Sequence, residues 1–383
     1  MIMKHTPKKV INVLQFICPT GFYGAERWIL ALVKNSDPNA VNHELAVTYE
    51  SEEQNLELLH QFPEANQTHK ITMNGRFDWQ VIKKLVSLIK RRNIDIIHTH
   101  GYKSDILGVI AARKAGIKSI ATPHGFGTSK ELKLQLFTWL GGKSLSFFDK
   151  VVPLSKQLYN ESLDYGVAKD KCLYIRNAVD LTEIDEFLVK KTPYNKTKAK
   201  TEKKQIGFIG QLIPRKNVKD AIDIFDALWQ NDKNIEFNLL GDGESRQALE
   251  GYANSLASAQ DIHFLGFRND RLERLKDLSL FVMTSEDEGI PRCLMEACAM
   301  EIPIAAYDIA GIDQLISHQK TGLLAPFGDK KQLALHWQRL LDDADYAQTL
   351  AKAAREFVLE KFSGQRMAKE YYDLFMQLLQ SKQ

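Results

Sequence analysis

The chain has 383 residues, 44% apolar and 26% charged, the composition of an ordinary globular protein with more length than one hydrophobic core usually organises, so two domains are expected. No apolar run reaches the roughly 18 residues of a membrane span, and MIMKHTPKKV leads into no signal-length apolar stretch, so neither a spanning helix nor a secretory leader is expected and the cytoplasm is the expected compartment. The net charge of +3 is uneven: residues 1–204 carry 31 Lys/Arg against 21 Asp/Glu, and residues 205–383 carry 20 against 27.

Four scattered cysteines (Cys18, Cys172, Cys293, Cys298) form no Cys-x-x-Cys pair and read as buried thiols in a reducing compartment. The basic excess of the first half fits a solvated surface and linker; it also fits peripheral contact with an anionic membrane or a lipid diphosphate.

Along the chain, short apolar runs are each followed by turn residues and then a helical pattern. The runs at Val10–Ile17, Glu44–Tyr49, Asp95–His98, Ser119–Thr122, Val151–Leu154 and Leu173–Ile175 predict strands buried on both faces. In Phe77–Arg92, Ile82, Leu85, Val86 and Ile89 share one helix face, with Lys83, Lys84 and Lys90 off it. The stretch 189–204, VKKTPYNKTKAKTEKK, is polar and basic and contains Pro193, which predicts a linker. A second series follows at Ile206–Ile209, Glu236–Leu240, Ile262–Leu265, Leu280–Met283 and Ile304–Tyr307. Strand and helix alternating twice predict two Rossmann-like doubly wound α/β domains, residues 1–188 and 205–364. A last amphipathic helix, from 365 toward the C-terminus, is free to pack back on the first.

The segment richest in chemistry is Leu280–Tyr307, LFVMTSEDEGIPRCLMEACAMEIPIAAY. Here a strand ends in a polar loop, Pro291 suits a helix's first turn, and helix formers run from Arg292 to Met300 before Pro303 stops them. Loops at the carboxyl end of a parallel strand, opening a helix, are where such sheets bind phosphorylated ligands. Glu288 and Glu296 frame the unit, and a carboxylate can accept two hydroxyl hydrogen bonds from a ribose or hexose diol.

The segment Glu288-Gly-Ile-Pro-Arg-Cys-Leu-Met-Glu296-Ala closely resembles the signature of the family 4 (group 1) glycosyltransferases, and the resemblance extends over nearly the whole chain. It implies a GT-B fold, two Rossmann-like domains facing a cleft, and retaining transfer of a hexose-type sugar from a nucleoside diphosphate to a hydroxyl of a glycan or lipid-linked glycan, as in cell-surface polysaccharide or lipopolysaccharide synthesis. By resemblance Glu288 contacts the transferred sugar and Glu296 the ribose, with Gly289, Ile290 and Pro291 lining the donor site. Ile209-Gly-Gln-Leu-Ile-Pro-Arg-Lys-Asn217 is similar to the family's glycine-and-lysine loop, so Gly210, Gln211, Arg215 and Lys216 are expected at the donor diphosphate; Gln211 departs from the family's usual Arg. Leu240-Gly-Asp-Gly243 resembles a further family loop and is equally a simple turn.

In the first half, Gly21-Phe-Tyr-Gly-Ala-Glu-Arg27 resembles the family's Gly-rich first loop, placing Gly24 near the donor or in a tight turn. Ile97-His-Thr-His100 and Thr122-Pro-His-Gly125 also match; His100 reads as structural and His124 as a contact to acceptor or transferred sugar. Asn177-Ala-Val-Asp180 resembles the close of the first domain and reads as hinge structure. No Asp-x-Asp metal motif stands in a strand-end loop, and the family implies no metal or other cofactor. A sugar-nucleotide epimerase and a catalytically silent sugar-nucleotide-binding subunit are the competing readings.

Overall fold

Six parallel strands form the first sheet: β1 (Ile11–Ile17), β2 (Val41–Tyr49), β3 (Thr68–Thr72), β4 (Ile96–His100), β5 (Lys118–Ala121) and β6 (Lys150–Val151), in the order β3-β2-β1-β4-β5-β6. Six more form a second: β7 (Lys204–Ile209), β8 (Ile235–Leu240), β9 (Ile262–Gly266), β10 (Leu280–Met283), β11 (Ile304–Asp308) and β12 (Leu323–Pro326), in the order β12-β11-β10-β7-β8-β9. Counted within its own sheet, each has the doubly wound order 3-2-1-4-5-6, so both reverse direction at one switch point, between β1 and β4 and between β7 and β10. The structure, a computed structural model, describes residues 10–19, 21–52, 54–63, 66–75, 78–125, 132–190, 203–268 and 270–380.

Two units result, Met1–Ala178 with Gly364–Gln383, and Val179–Ser363. In the first, β1 is buried on both faces. Trp28, Ile29 and Leu32 cover one side together with Met367, Tyr371, Leu374, Phe375 and Leu378 of the Gly364–Gln380 helix. Val81, Leu85, Leu88, Ile89 and Leu107 cover the other. Each large apolar side chain so buried contributes about 1.5–3 kcal/mol relative to exposure. In the second unit, Phe208, Ile222, Phe225 and Trp337 pack on one face of the sheet and Phe281, Leu294, Met295 and Val358 on the other.

The structure moves several expected boundaries. The first domain ends ten residues before 188, between Ala178 and Val179 and within the Asn177–Asp180 stretch read as hinge. The Leu181–Lys190 helix belongs to the second unit because Leu181 and Ile184 are buried with Leu294 and Met295, and Asp185 pairs with Arg355 at 2.7 Å. Of the linker expected at 189–204, Val189 and Lys190 finish that helix and Lys204 opens β7; residues 191–202 lie outside the described residues.

Leu173–Ile175 is not a strand: Leu173 N–H reaches Val151 O, but the segment runs on without a ladder. Of the run expected at Val151–Leu154 only Val151 lies in a strand, which begins one residue earlier at Lys150. Two edge strands went unforeseen: THKIT offers one apolar residue, and LLAP ends in proline. All four cysteines are free; Cys172 and Cys298 are buried, and Cys18 and Cys293 only half-buried. Among the described residues no helix is long and apolar enough to cross a membrane.

Candidate functional site

At the switch point of the second sheet, β7 leads into a loop and a single 3-10 turn, Pro214–Lys216, and then the Val218–Asn231 helix. Asn217 makes the corner in the left-handed region, φ 46°, which asparagine tolerates better than most residues. The loop after β10 is tied to this turn: Glu286 N–H donates to Arg215 O at 2.9 Å and Thr284 Oγ1 to Asn217 O at 2.9 Å. The two loops thereby bring Lys216 Nζ into an ion pair with Glu288 Oε1, and Ser285 Oγ donates to the same oxygen at 2.7 Å.

Lys216 is 9% exposed and Glu288 5%, so this charge-assisted pair is largely shielded from solvent screening. Glu288 Oε2 has no partner among the described residues. Arg215 is exposed and donates to Asp287 O at 3.0 Å, and Gln211 is exposed.

Glycines let four loops crowd this corner. A Cβ on Gly241 (φ +138°) would lie 1.8 Å from Gly210 O, and one on Gly243 (φ +159°) 2.4 Å from Leu212 O, so the Gly-Asp-Gly turn is needed for close backbone approach. A Cβ on Gly311 (φ +90°) would lie 1.7 Å from Gly289 O. That fixes the loop carrying Glu288 from the β11 side.

Pro291, buried, stands as N-cap of the Arg292–Ala299 helix, one position before the first turn expected for it, because its ψ of 125° is extended. Ile290 beside it is buried. Glu296, expected to offer a carboxylate to a diol, is 2% exposed and already held. Arg271 Nε reaches its two oxygens at 3.1 and 3.2 Å, and Arg292 Nε donates to Oε1 at 2.8 Å. Arg271 Nη2 also holds Glu183 at 3.0 Å. Burial disfavours the Arg271 charge, but Glu296 and Glu183 outweigh it and hold its pKa above the ordinary value.

In the first unit, Gly24 opens the Gly24–Asn35 helix, and a Cβ there would touch nothing within 4 Å, so packing does not demand glycine. His124 follows β5 and is half-buried. Its Nε2 lies 3.2 Å from His100 Nδ1, whose ring meets Gln15 Oε1 through Nε2 at 2.8 Å. Trp28 packs against His98, His100, His124 and Tyr371 with ring centroids 5.3–5.7 Å apart. Desolvation pushes His124 and His43 down to about 3 and His98 and His100 well below the ordinary imidazole value, so all four are neutral at pH 7.

The second unit matches the family model described as glycosyl transferases group 1 over residues 190–357, and the first matches glycosyltransferase family 4 over residues 23–183. The chain belongs to the family 4 (group 1) glycosyltransferases. It is 26% identical to the UDP-Gal:alpha-D-GlcNAc-diphosphoundecaprenol alpha-1,3-galactosyltransferase of Escherichia coli, over 80% of this chain and 81% of that one. It is 25% identical to the N-acetyl-alpha-D-glucosaminyl L-malate synthase of Bacillus anthracis, over 81% and 84%. Among solved structures, Anabaena HepE in complex with UDP and glucose shares its fold with a TM-score of 0.77, at 18% identity, covering 96% of this chain and 99% of that one. The doubly wound pair of sheets is thus the GT-B architecture.

Within this glycosyltransferase the structure brings Gly210, Lys216, Glu288 and Gly289 into one corner, with Arg215 at its rim. Glu296 sits behind it in an arginine clamp, while Gly24 and His124 lie in the other unit. Sequence reasoning missed Arg271 and Glu183, which stand well before Glu296 in the chain with no motif around them. It also missed Ser285, although that residue lies inside the quoted segment, and Gly311, whose positive φ only the fold reveals.

Proposed function

We propose that this glycosyltransferase moves a hexose-type sugar from a nucleoside diphosphate to a hydroxyl of a glycan or lipid-linked glycan with retention at the anomeric carbon, without a resident metal or other cofactor. The buried Lys216–Glu288 pair at the switch point carries the reading. Lys216 has protons left to donate to a diphosphate oxygen, and Glu288 Oε2 has lone pairs left for a sugar hydroxyl. Bond cleavage puts charge on the departing diphosphate, and fixed cations at that spot stabilise it without reorganising. Lys216 supplies the inner one, Arg215 the outer one, and the backbone N–H groups of the helix opening after Pro291 add partial positive charge.

Gly210 lets the chain approach the phosphates, Gln211 offers a neutral donor beside them, and Gly289 and Ile290 shape the wall next to the sugar. Glu296, set by Arg271 and Arg292, faces the ribose end of this donor site. In the first unit, Gly24 serves the donor and His124 the acceptor or transferred sugar.

The E. coli relative is named for a UDP-sugar and a lipid-linked acceptor, and HepE was solved with UDP. Both support a UDP-hexose as the first donor to test and a role in cell-surface polysaccharide or lipopolysaccharide synthesis, at the cytoplasmic face of a membrane. Thermal shift against UDP, GDP, ADP and their hexose conjugates tests the donor class, since a ligand specific to the native state raises the melting temperature. Transfer from the best donor, the anomeric configuration of the product, and activity in excess chelator test the rest. A product of inverted configuration overturns retention, and loss of activity in chelator overturns the metal-free reading.

A further inference from the structure

We infer that a buried hydrogen-bond chain from Ser36 through His43, Gln15 and His100 fixes His124 as its Nε2–H tautomer and presents its Nδ1 as an acceptor for a substrate hydroxyl. The chain is anchored on a group that can only accept: Ser36 Oγ donates its one proton to Leu32 O at 2.8 Å. Ser36 Oγ must therefore accept from His43 Nε2, 3.0 Å away. A neutral His43 protonated on Nε2 has a lone pair on Nδ1, which takes a proton from Gln15 Nε2 at 3.1 Å. That orients the Gln15 amide with Oε1 toward His100 Nε2, which must carry a proton to meet it at 2.8 Å. His100 Nδ1 is then an acceptor, and His124 Nε2 is the donor that meets it at 3.2 Å.

Every step is forced by the one before it. Reversing the Gln15 amide would leave two lone pairs facing each other between His43 and Ser36. Desolvation holds these imidazoles neutral, which removes the escape of double protonation. Trp28, packed against His100 and His124, holds the rings in place. His124 is the half-buried end of the chain, and its Nδ1 bonds to no described residue. A neutral acceptor there suits the O–H of a sugar or acceptor hydroxyl and rejects an anion; this last step rests on the glycosyltransferase reading, whereas the tautomer does not. Gln15, His43 and Ser36 are positioning residues, acting only through His100 and His124.

Selective 15N-histidine labelling of the intact chain, without donor and at neutral pH, reads the tautomers directly, with His124 assigned from the signal lost in His124→Gln. The expected spectrum shows His124 protonated on Nε2 and bare on Nδ1, with Ser36→Ala introducing the Nδ1–H form and Ser36→Thr restoring the wild-type pattern. A wild-type His124 protonated on Nδ1 overturns the inference without any variant. An unaltered His124 spectrum in Ser36→Ala overturns the part played by the chain. Since no donor is present, either outcome stands apart from whether the chain transfers sugar; adding UDP-glucose to the same sample then shows whether the Nδ1 signal responds to a sugar nucleotide.

Discussion

The two sheets share one strand order, yet the side chains around their carboxyl ends carry opposite chemistry. The first holds neutral imidazoles and a glutamine amide hydrogen-bonded to one another, with a tryptophan packed against the rings. The second ends in lysine and arginine set against glutamate. The doubly wound frame supplies a place for a ligand but not its charge; the side chains at the strand ends supply that. A neutral end suits hydroxyls, and a charged end with cations to spare suits a diphosphate.

The sharpest way to break the contrast is to neutralise the second unit. Lys216→Ala removes the cation and leaves Glu288 buried and uncompensated, which costs about 3–5 kcal/mol of stability. Transfer should fall about 100-fold or more even where the variant stays folded. Near-normal turnover with the true donor would remove the diphosphate from this corner. Arg215→Ala, at an exposed residue, should lose about 10- to 100-fold, the worth of one charge-assisted bond, with no change in melting temperature.

Next in size are the glutamates. Glu288→Gln should lower turnover about 10- to 100-fold while the free nucleotide diphosphate still binds, because the contacts to the sugar and to Lys216 lose their charge while Lys216 keeps its own for the diphosphate. Glu296→Gln keeps the shape but weakens the clamp on Arg271 and Arg292, and nucleotide affinity measured by calorimetry should drop about tenfold. Equal affinity with a lowered melting temperature would make Glu296 a brace alone.

Acid should separate the units further. His43, His98, His100 and His124 have folded pKa values below the unfolded 6.5, so they favour the native state fully above 6.5 and lose that contribution as pH falls toward about 3. The second unit has one histidine so shifted among the described residues, His336. Between pH 6.5 and 5, amides of β1 and β4 should lose hydrogen-exchange protection, corrected for intrinsic rates, before those of β7 and β10. The reverse order would contradict the assignment of neutral rings to the first unit.

The smallest effect is expected at Gln211. Gln211→Arg adds a cation at an exposed position and should be tolerated, tightening UDP binding by up to about tenfold at low salt, with the gain fading as salt rises. A loss of affinity would place Gln211 away from the phosphates.

Much of this was legible before the fold. The short apolar runs located the central strands because a strand buried on both faces has little choice of composition. The 288–296 segment located the charged corner because its turn, proline and helix formers are contiguous. The edge strand β3 escaped because exposure to solvent relaxes its pattern, leaving Ile71 as its single buried residue. Partners that meet only through the fold escaped as well. Nothing local marks Arg271 as the residue that grips Glu296, or Gln15 as the link between His43 and His100. Their meaning lies in strand register: Gln15 stands opposite Leu45 on one side and His98 on the other, and the rings it joins flank those positions.

The return of the Gly364–Gln380 helix to the first unit has a consequence for the order of synthesis. Domains tend to fold as units while the chain emerges. Here the imidazole-rich sheet stays without Met367, Tyr371 and Phe375 until all of Val179–Ser363 has left the ribosome. The first unit is therefore begun before the second and closes after it. A nascent chain stalled shortly before Gly364 would hold a finished second unit beside a first unit with an open apolar face, the kind of surface on which holding chaperones act.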